Sequence, residues 1–392
     1  YYYIIIITSK LEWKILKLCI FPNDPLQAYF DKGEIKDRYY NPNNFFDEIH
    51  FISLIDKDID SSKIQKIVGN AKIVIHSVGK INIKNRKKYL KKIIELCKEI
   101  NPDVIRAFNP LIEGWLAANC AMELKKPFFV SLHTQYDYNR KLAKKNLKKY
   151  LALKYTEKFI EPFVLNAADK IIVVYKIIQP YVTKHSLKNS EVLHNKVDYN
   201  RFFNAEPIKN LPQPLILSVG NLIPVKNHKI LIKSMREIEG HLLIIGNGEL
   251  FSELNELIIK YKIQSKVTIK KSVPNDQIQK YYKSAKIFTL AYNTKVESLP
   301  IPVMESMAAG LPVIIPPPQE GFSEGLEKTA VFTESNEKSF TENIQKLLKN
   351  ENLRKKYSEQ SLIKAKEFDS EKIEKREAEI YLELIEGIQK WL

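Results

Sequence analysis

VESLPIPVMESMAAGLPVI, residues 296–314, reads as a loop, then a helix of small residues, then an apolar strand. Pro300 disfavours helical backbone at Leu299, and Pro302 suits the first turn of a helix, so a helix is expected to begin near Ile301. The strand that follows, LPVIIP (311–316), has no polar face. A strand apolar on both faces belongs in a parallel sheet covered by helices.

The same alternation extends outward in both directions. LILSVG (215–220), LLIIG (242–246), KVTIKKSV (266–273), IFTLAY (287–292) and AVFT (330–333) are short apolar runs separated by stretches of helical period. The first half repeats the scheme with KLCIF (17–21), IHFISLI (49–55), KIVIHSV (72–78), DVIRAF (103–108), PFFVSLH (127–133) and KIIVVY (170–175). Between them, NKVDYNRFFNAEPIKNLPQP (195–214) is polar, contains three prolines and reads as a linker. The fold class is therefore α/β, with two Rossmann-like, doubly wound parallel sheets facing across a cleft. Residues 1–200 and 201–375 are the expected domains. The last stretch is helical, with Ile373, Ile380, Leu384 and Trp391 able to share a face, and residues 376–392 are expected to pack back towards the first domain.

At 392 residues the chain is long enough for two cores. Its formal charge of +16 is uneven: residues 1–200 carry 34 Lys and Arg against 21 Asp and Glu, residues 201–392 carry 28 against 25. A basic first half calls for an anionic partner. No helix-turn-helix, zinc-finger or aromatic RNA-binding signature accompanies the charge, so nucleic acid is not the expected one. Cys19, Cys97 and Cys120 lack ligand spacing and sit among apolar residues, as core thiols in a reducing compartment do. The opening YYYIIII is too short to span a bilayer. The expected placement is cytoplasmic, with a peripheral position on the inner face of the cell membrane.

Glu297 falls in the loop before the helix and Glu305 on its second turn. On one continuous helix they would stand about 12 Å apart, beyond the roughly 5–9.5 Å of glycosidase carboxylate pairs. Two acceptors so placed suit the ends of a long polar ligand, with the amides of Ser298 and Leu299 and the helix N-terminus between them for a phosphate. A nucleotide-sugar has that layout.

ESLPIPVMESMAAGLPVI resembles the E-x7-E signature of retaining GT-B glycosyltransferases, above all glycosyltransferase family 4. SVGNLIPVKNHKILIKSM (218–235), LLIIGNGEL (242–250), YYKSAKIFTL (281–290), AADKIIVVY (167–175) and VLHNKVDYNRF (192–202) resemble further family segments in the expected order. The resemblance implies that Glu297 contacts donor-sugar hydroxyls, Glu305 the ribose, Lys226 the diphosphate, and His133 the transferred sugar. Gly220 and Gly246 would allow close backbone approach near the donor. The chain departs from the pattern at Asn221, where the family usually has arginine, with Lys295 as a candidate replacement, and at Ala291-Tyr292 and Ser298, where Pro-Ser and glycine are usual. The family's Gly-Gly loop is missing: PNDPLQAYFDKGEIKDRYYN (22–41) offers one glycine, Gly33, flanked by Lys32 and followed by Arg38, the candidate acceptor contacts.

RKLAKKNLKKYL (140–151) sets Arg140, Lys141, Lys144, Lys145, Lys148 and Lys149 in pairs four apart with leucines between. On one helix these would form a basic stripe for an anionic membrane surface or a lipid-diphosphate acceptor. The reading is a retaining transferase that moves a sugar from a UDP- or GDP-linked donor to a glycan or lipid-linked acceptor, with no metal or other cofactor. An epimerase-like enzyme acting on a nucleotide-sugar, or a non-catalytic sugar- or nucleic-acid-binding protein, remain the alternatives.

Overall fold

The computed structural model describes residues 14–389; the opening run at 1–7 and Trp391 lie outside them. In the first sheet, β1 (Lys17–Phe21), β2 (Glu48–Ser53), β3 (Lys72–Ser77), β4 (Val104–Ala107), β5 (Phe128–Leu132), β6 (Lys170–Val173) and β7 (Glu191–Val192) lie in the order β3-β2-β1-β4-β5-β6-β7. In the second, β8 (Leu215–Val219), β9 (His241–Ile245), β10 (Val267–Lys270), β11 (Ile287–Thr289), β12 (Val313–Ile315) and β13 (Ala330–Phe332) lie in the order β10-β9-β8-β11-β12-β13. All these neighbouring strands pair in parallel; for example Leu217 stands opposite Leu243 and Leu18 opposite Ile49.

Burial explains the apolar runs. Leu18, Cys19, Ile20 and Phe21 of the central β1 are fully buried, as are Leu215, Ile216 and Leu217 of β8. Edge strand β3 begins and ends on exposed residues, Lys72 and Ser77. All three cysteines are buried, with the sulfurs of Cys19 and Cys97 4.0 Å apart. In each sheet the strand order turns back beside the first strand, at β1/β4 and β8/β11, so a crevice opens at the carboxyl ends there. Four loops meet at these points, after β1, β4, β8 and β11.

The linker is packed rather than loose. It contains a short helix, Tyr199–Phe203, whose Phe202 is buried edge-to-face against Tyr282, and Val197 forms a bridge with Asp369. Past that bridge the helix Ser370–Gln389 returns to the first sheet. Ile373, Ile380, Tyr381 and Ile385 share one cluster with Leu18, Phe46, Phe51 and Phe129. The same helix carries two carboxylates into this apolar contact. Glu377 pairs with the buried Arg106 of β4, and Glu374 accepts from Lys196 Nζ at 2.8 Å, Arg38 Nε at 3.1 Å and the Asn43 amide at 2.9 Å. Each buried charge thus has a partner, without which its desolvation would be uncompensated.

Candidate active site

The loop between β11 and the next helix is fixed by its own polar groups. The Asn293 carbonyl accepts from the amides of Val296 and Glu297, its side-chain oxygen accepts from the Lys295 amide at 3.0 Å, and its amide donates to the Val225 carbonyl at 2.8 Å. Tyr292, fully buried, donates through its hydroxyl to the Ser298 carbonyl at 2.8 Å. The chain then enters the helix Ile301–Ala308 through Pro300, with Pro302 in its first turn. Glu297 is left in the loop and Glu305 sits on the helix, as the prolines require. Among the described residues, nothing accepts from the amides of Ser298 or Leu299, although both side chains are buried. Two donors beside a helix start are suited to a phosphate.

After β8 a tight turn, Pro224–Lys226, precedes the helix His228–Ser234. It buries Lys226 and brings its Nζ to 2.5 Å from Glu297 Oε2. Asn221 is exposed at the tip of that loop. A side chain at Gly246 would come within 2.0 Å of the Gly220 carbonyl, so these glycines let the loops after β8 and β9 touch. Lys295 is exposed in the turn ahead of Glu297. Glu305 is held from two sides: Tyr282 donates to Oε2 at 2.9 Å, and Lys36 of the first domain stands 3.7 Å from Oε1 across the cleft. Asn293 Nδ2 makes a second crossing to Tyr138 Oη at 3.1 Å.

His133 follows the end of β5, stacked on Phe108 at 5.4 Å and with Nε2 3.3 Å from Ser131 Oγ. Burial, aided by the nearby Arg106 guanidinium, pushes its pKa down to about 3. At neutral pH the ring therefore carries no charge and can offer a hydrogen bond, but not act as a general acid. Glu324 of the β12–β13 loop reaches the first domain, where it accepts from the Lys176 amide at 2.8 Å, and its other oxygen lies 3.5 Å from His194 Nε2. Burial raises the Glu324 pKa.

Some sequence-derived candidates lie elsewhere than expected. Lys32 is exposed, 4.0 Å from Asp24, and Gly33 adopts a positive φ of 67° in open space. Arg38 turns to Glu374 of the terminal helix. The stretch 140–151 is not one helix, and this corrects the continuous stripe. The helix Tyr136–Leu142 ends in a tight turn, Ala143–Lys145, and Asn146 starts a new helix, Leu147–Phe159, its side chain accepting from the Lys149 amide. Arg140 leaves the stripe altogether. It is 4% exposed and bonds Glu161 at 2.8 Å and Asp137 at 2.6 Å, because fully buried Glu161 needs a counter-charge. Lys141, Lys144, Lys145, Lys148 and Lys149 remain at the surface. Asp137, Glu157 and His185 have metal-like spacing, but both carboxylates are already paired with Arg140 and Lys184. Nothing in the sequence marks Lys36 or Tyr282 as a site residue within the stretches 22–41 and 281–290, since their partner Glu305 is remote in the chain.

The family model "Glycosyltransferase Family 4" matches residues 59–201, and "Glycosyl transferases group 1" matches 200–362, including Glu297, Glu305 and Lys226. The chain belongs to the family 4, group 1 glycosyltransferases. This family member is 29% identical over 229 residues to the amylovoran biosynthesis glycosyltransferase AmsD of Erwinia amylovora, covering 55% of this chain. It is 24% identical over 288 residues to the alpha-monoglucosyldiacylglycerol synthase of Streptococcus pneumoniae, covering 68%. The matched region spans 63% of the length of each of these relatives. In fold it is similar to Anabaena HepE, whose structure is in complex with UDP and glucose, with a TM-score of 0.72 at 14% identity over 94% of this chain and 99% of that one. The family member has the GT-B fold.

Proposed function

We propose that the chain transfers a sugar from a nucleotide-sugar to a glycan or lipid-linked acceptor with retention of anomeric configuration. Residues 201–375 would bind the donor and 1–200 the acceptor. The observation that carries this reading is the Glu297–Lys226 contact at 2.5 Å beside the uncommitted amides of Ser298 and Leu299. Glu297 would bind hydroxyls of the donor sugar, Glu305 the ribose, and Lys226 with the two amides the diphosphate. As the glycosidic bond breaks, charge grows on the leaving oxygen, where a fixed ammonium is worth most. Neutral His133 would donate to the transferred sugar from the opposite wall. The departing diphosphate would take the acceptor's proton on the same face, so no enzymic nucleophile is needed. A screen of UDP- and GDP-sugars by thermal shift, followed by analysis of the product formed in EDTA, tests the reading. Turnover with retained configuration is expected; an inverted product or loss of turnover in EDTA contradicts it.

The acceptor reading draws support from a surface of the first domain. Leu147, Leu151, Tyr155 and Phe159 recur every four residues along one helix and are 68, 58, 38 and 55% exposed, with the five lysines of 141–149 beside them. Apolar teeth flanked by cations suit the interface of an anionic bilayer. Replacing Leu147 and Leu151 with serine is expected to lower co-sedimentation with phosphatidylglycerol vesicles several-fold, and high salt to lower it further. Binding unchanged in both would remove the membrane from the proposal.

A further inference from the structure

Lys36 is a basic residue that the donor assignments above do not use, yet it ends at one of the two acidic groups they depend on. Its Nζ stands 3.7 Å from Glu305 Oε1, and the side chains are 26% and 13% exposed, so the pair is largely shielded from water. The segment that carries it is pinned at both ends. Asp58 accepts from the amides of Leu26 and Gln27 at the start of the preceding helix, and just beyond Lys36 the Arg38 amide donates to the Lys66 carbonyl. The Arg38 carbonyl also accepts from Lys196 Nζ at 2.9 Å. The reach of Lys36 across the cleft is thus set by its backbone.

Charge counting shows what this lysine can do. Glu297 is matched by Lys226 and Glu305 by Lys36, so the four side chains are neutral as a set. A nucleoside diphosphate ester adds two negative charges near neutral pH. Lys226 alone cannot offset them while it also faces Glu297, and Lys295, the other cation beside this loop, is exposed to water. Asn221, at the tip of the loop after β8, brings no charge. The ribose whose hydroxyls would seek Glu305 carries the diphosphate on its 5′ oxygen, and the flexible four-carbon stem of a lysine can swing from the one towards the other.

We propose that Lys36 is the first domain's contact to the diphosphate of the donor: it holds Glu305 in this structure and passes to the phosphates when the ribose takes the carboxylate. The closing of one domain on the other is thereby tied to a charged part of the donor. A bare strut between the domains would be indifferent to how many phosphates the ligand carries. This rests on the assignment of Glu305 to the ribose, so the test must separate the two.

Titration calorimetry of the full chain with UDP, UMP, GDP and GMP does so, comparing wild type with Lys36→Ala, Lys36→Arg and Glu305→Ala. Lys36→Ala is expected to weaken the preferred diphosphate about tenfold or more, as loss of a charged hydrogen bond does. It should change the matching monophosphate by less than about threefold, and Lys36→Arg should restore the preference. The affinity of Lys36→Ala should also depend less on salt than that of wild type. Equal weakening of mono- and diphosphate in Lys36→Ala, or no weakening of either, overturns the role of Lys36 while loss of binding in Glu305→Ala keeps the ribose assignment standing. Binding that survives intact in Glu305→Ala overturns the ribose assignment, and this proposal with it. So does failure of all four nucleotides to bind wild type.

Discussion

Lys226→Ala is expected to lower kcat by about 10²–10³-fold, the usual cost of deleting one preorganised charge at a leaving group. The lysine is buried and already points at Glu297 Oε2 from 2.5 Å, so little is left for binding to reorganise. If Lys226 meets the diphosphate as proposed, donor KM should change less than kcat, because the charge there grows as the bond breaks. Removing Glu297 as well is expected to add less than its own single effect. Residues in direct contact do not act independently, and each deletion strands the other partner. Steady-state rates of the two single variants and the double variant check this. A Lys226→Ala enzyme with near wild-type kcat would take the lysine out of the chemistry.

Arg140→Ala should act on the fold instead. Arg140 is enclosed with Glu161, which also accepts from the hydroxyls of Thr156 and Tyr181 and is 0% exposed. Removing the guanidinium leaves a carboxylate out of water without a cation, at a cost of about 3–5 kcal/mol. In a domain of this size that lowers Tm by about 10 °C. Lys144→Ala, four positions along on the exposed turn, is expected to change stability by less than about 0.5 kcal/mol. Replacing Arg140 and Glu161 together with methionine and leucine should recover much of the loss, since no unpaired charge then remains. Denaturant unfolding of the three variants tells these outcomes apart. Equal stability of Arg140→Ala and Lys144→Ala would contradict the account.

That contrast also marks how far the sequence could be read. Every run proposed as a strand became one: the inner strands are covered on both faces and must be apolar along their length, while edge strands β3 and β10 keep exposed polar positions. The strand that escaped, β7, has only Glu191 and Val192 and no room for a pattern. The helix start at Ile301 was visible because proline acts on the residues next to it. What could not be read were pairings between remote positions. Arg140 and Lys141 are adjacent cations, yet one is buried by Glu161 and the other faces solvent. In a chain with 62 Lys and Arg, composition gives no means of telling them apart. The same limit hid Lys36, whose partner lies in the other domain, and the break at Asn146, where a polar side chain that could have faced solvent caps a helix instead.

The helix Ser370–Gln389 has a consequence for biosynthesis. The guanidinium of β4 and the greasy side of β1 are sealed by residues translated more than 260 positions later. As the polypeptide leaves the ribosome, its first sheet must wait in an unfinished form until this helix has been made. Cutting the gene after the first sheet should therefore yield an insoluble product, and the helix supplied as a separate peptide should rescue it.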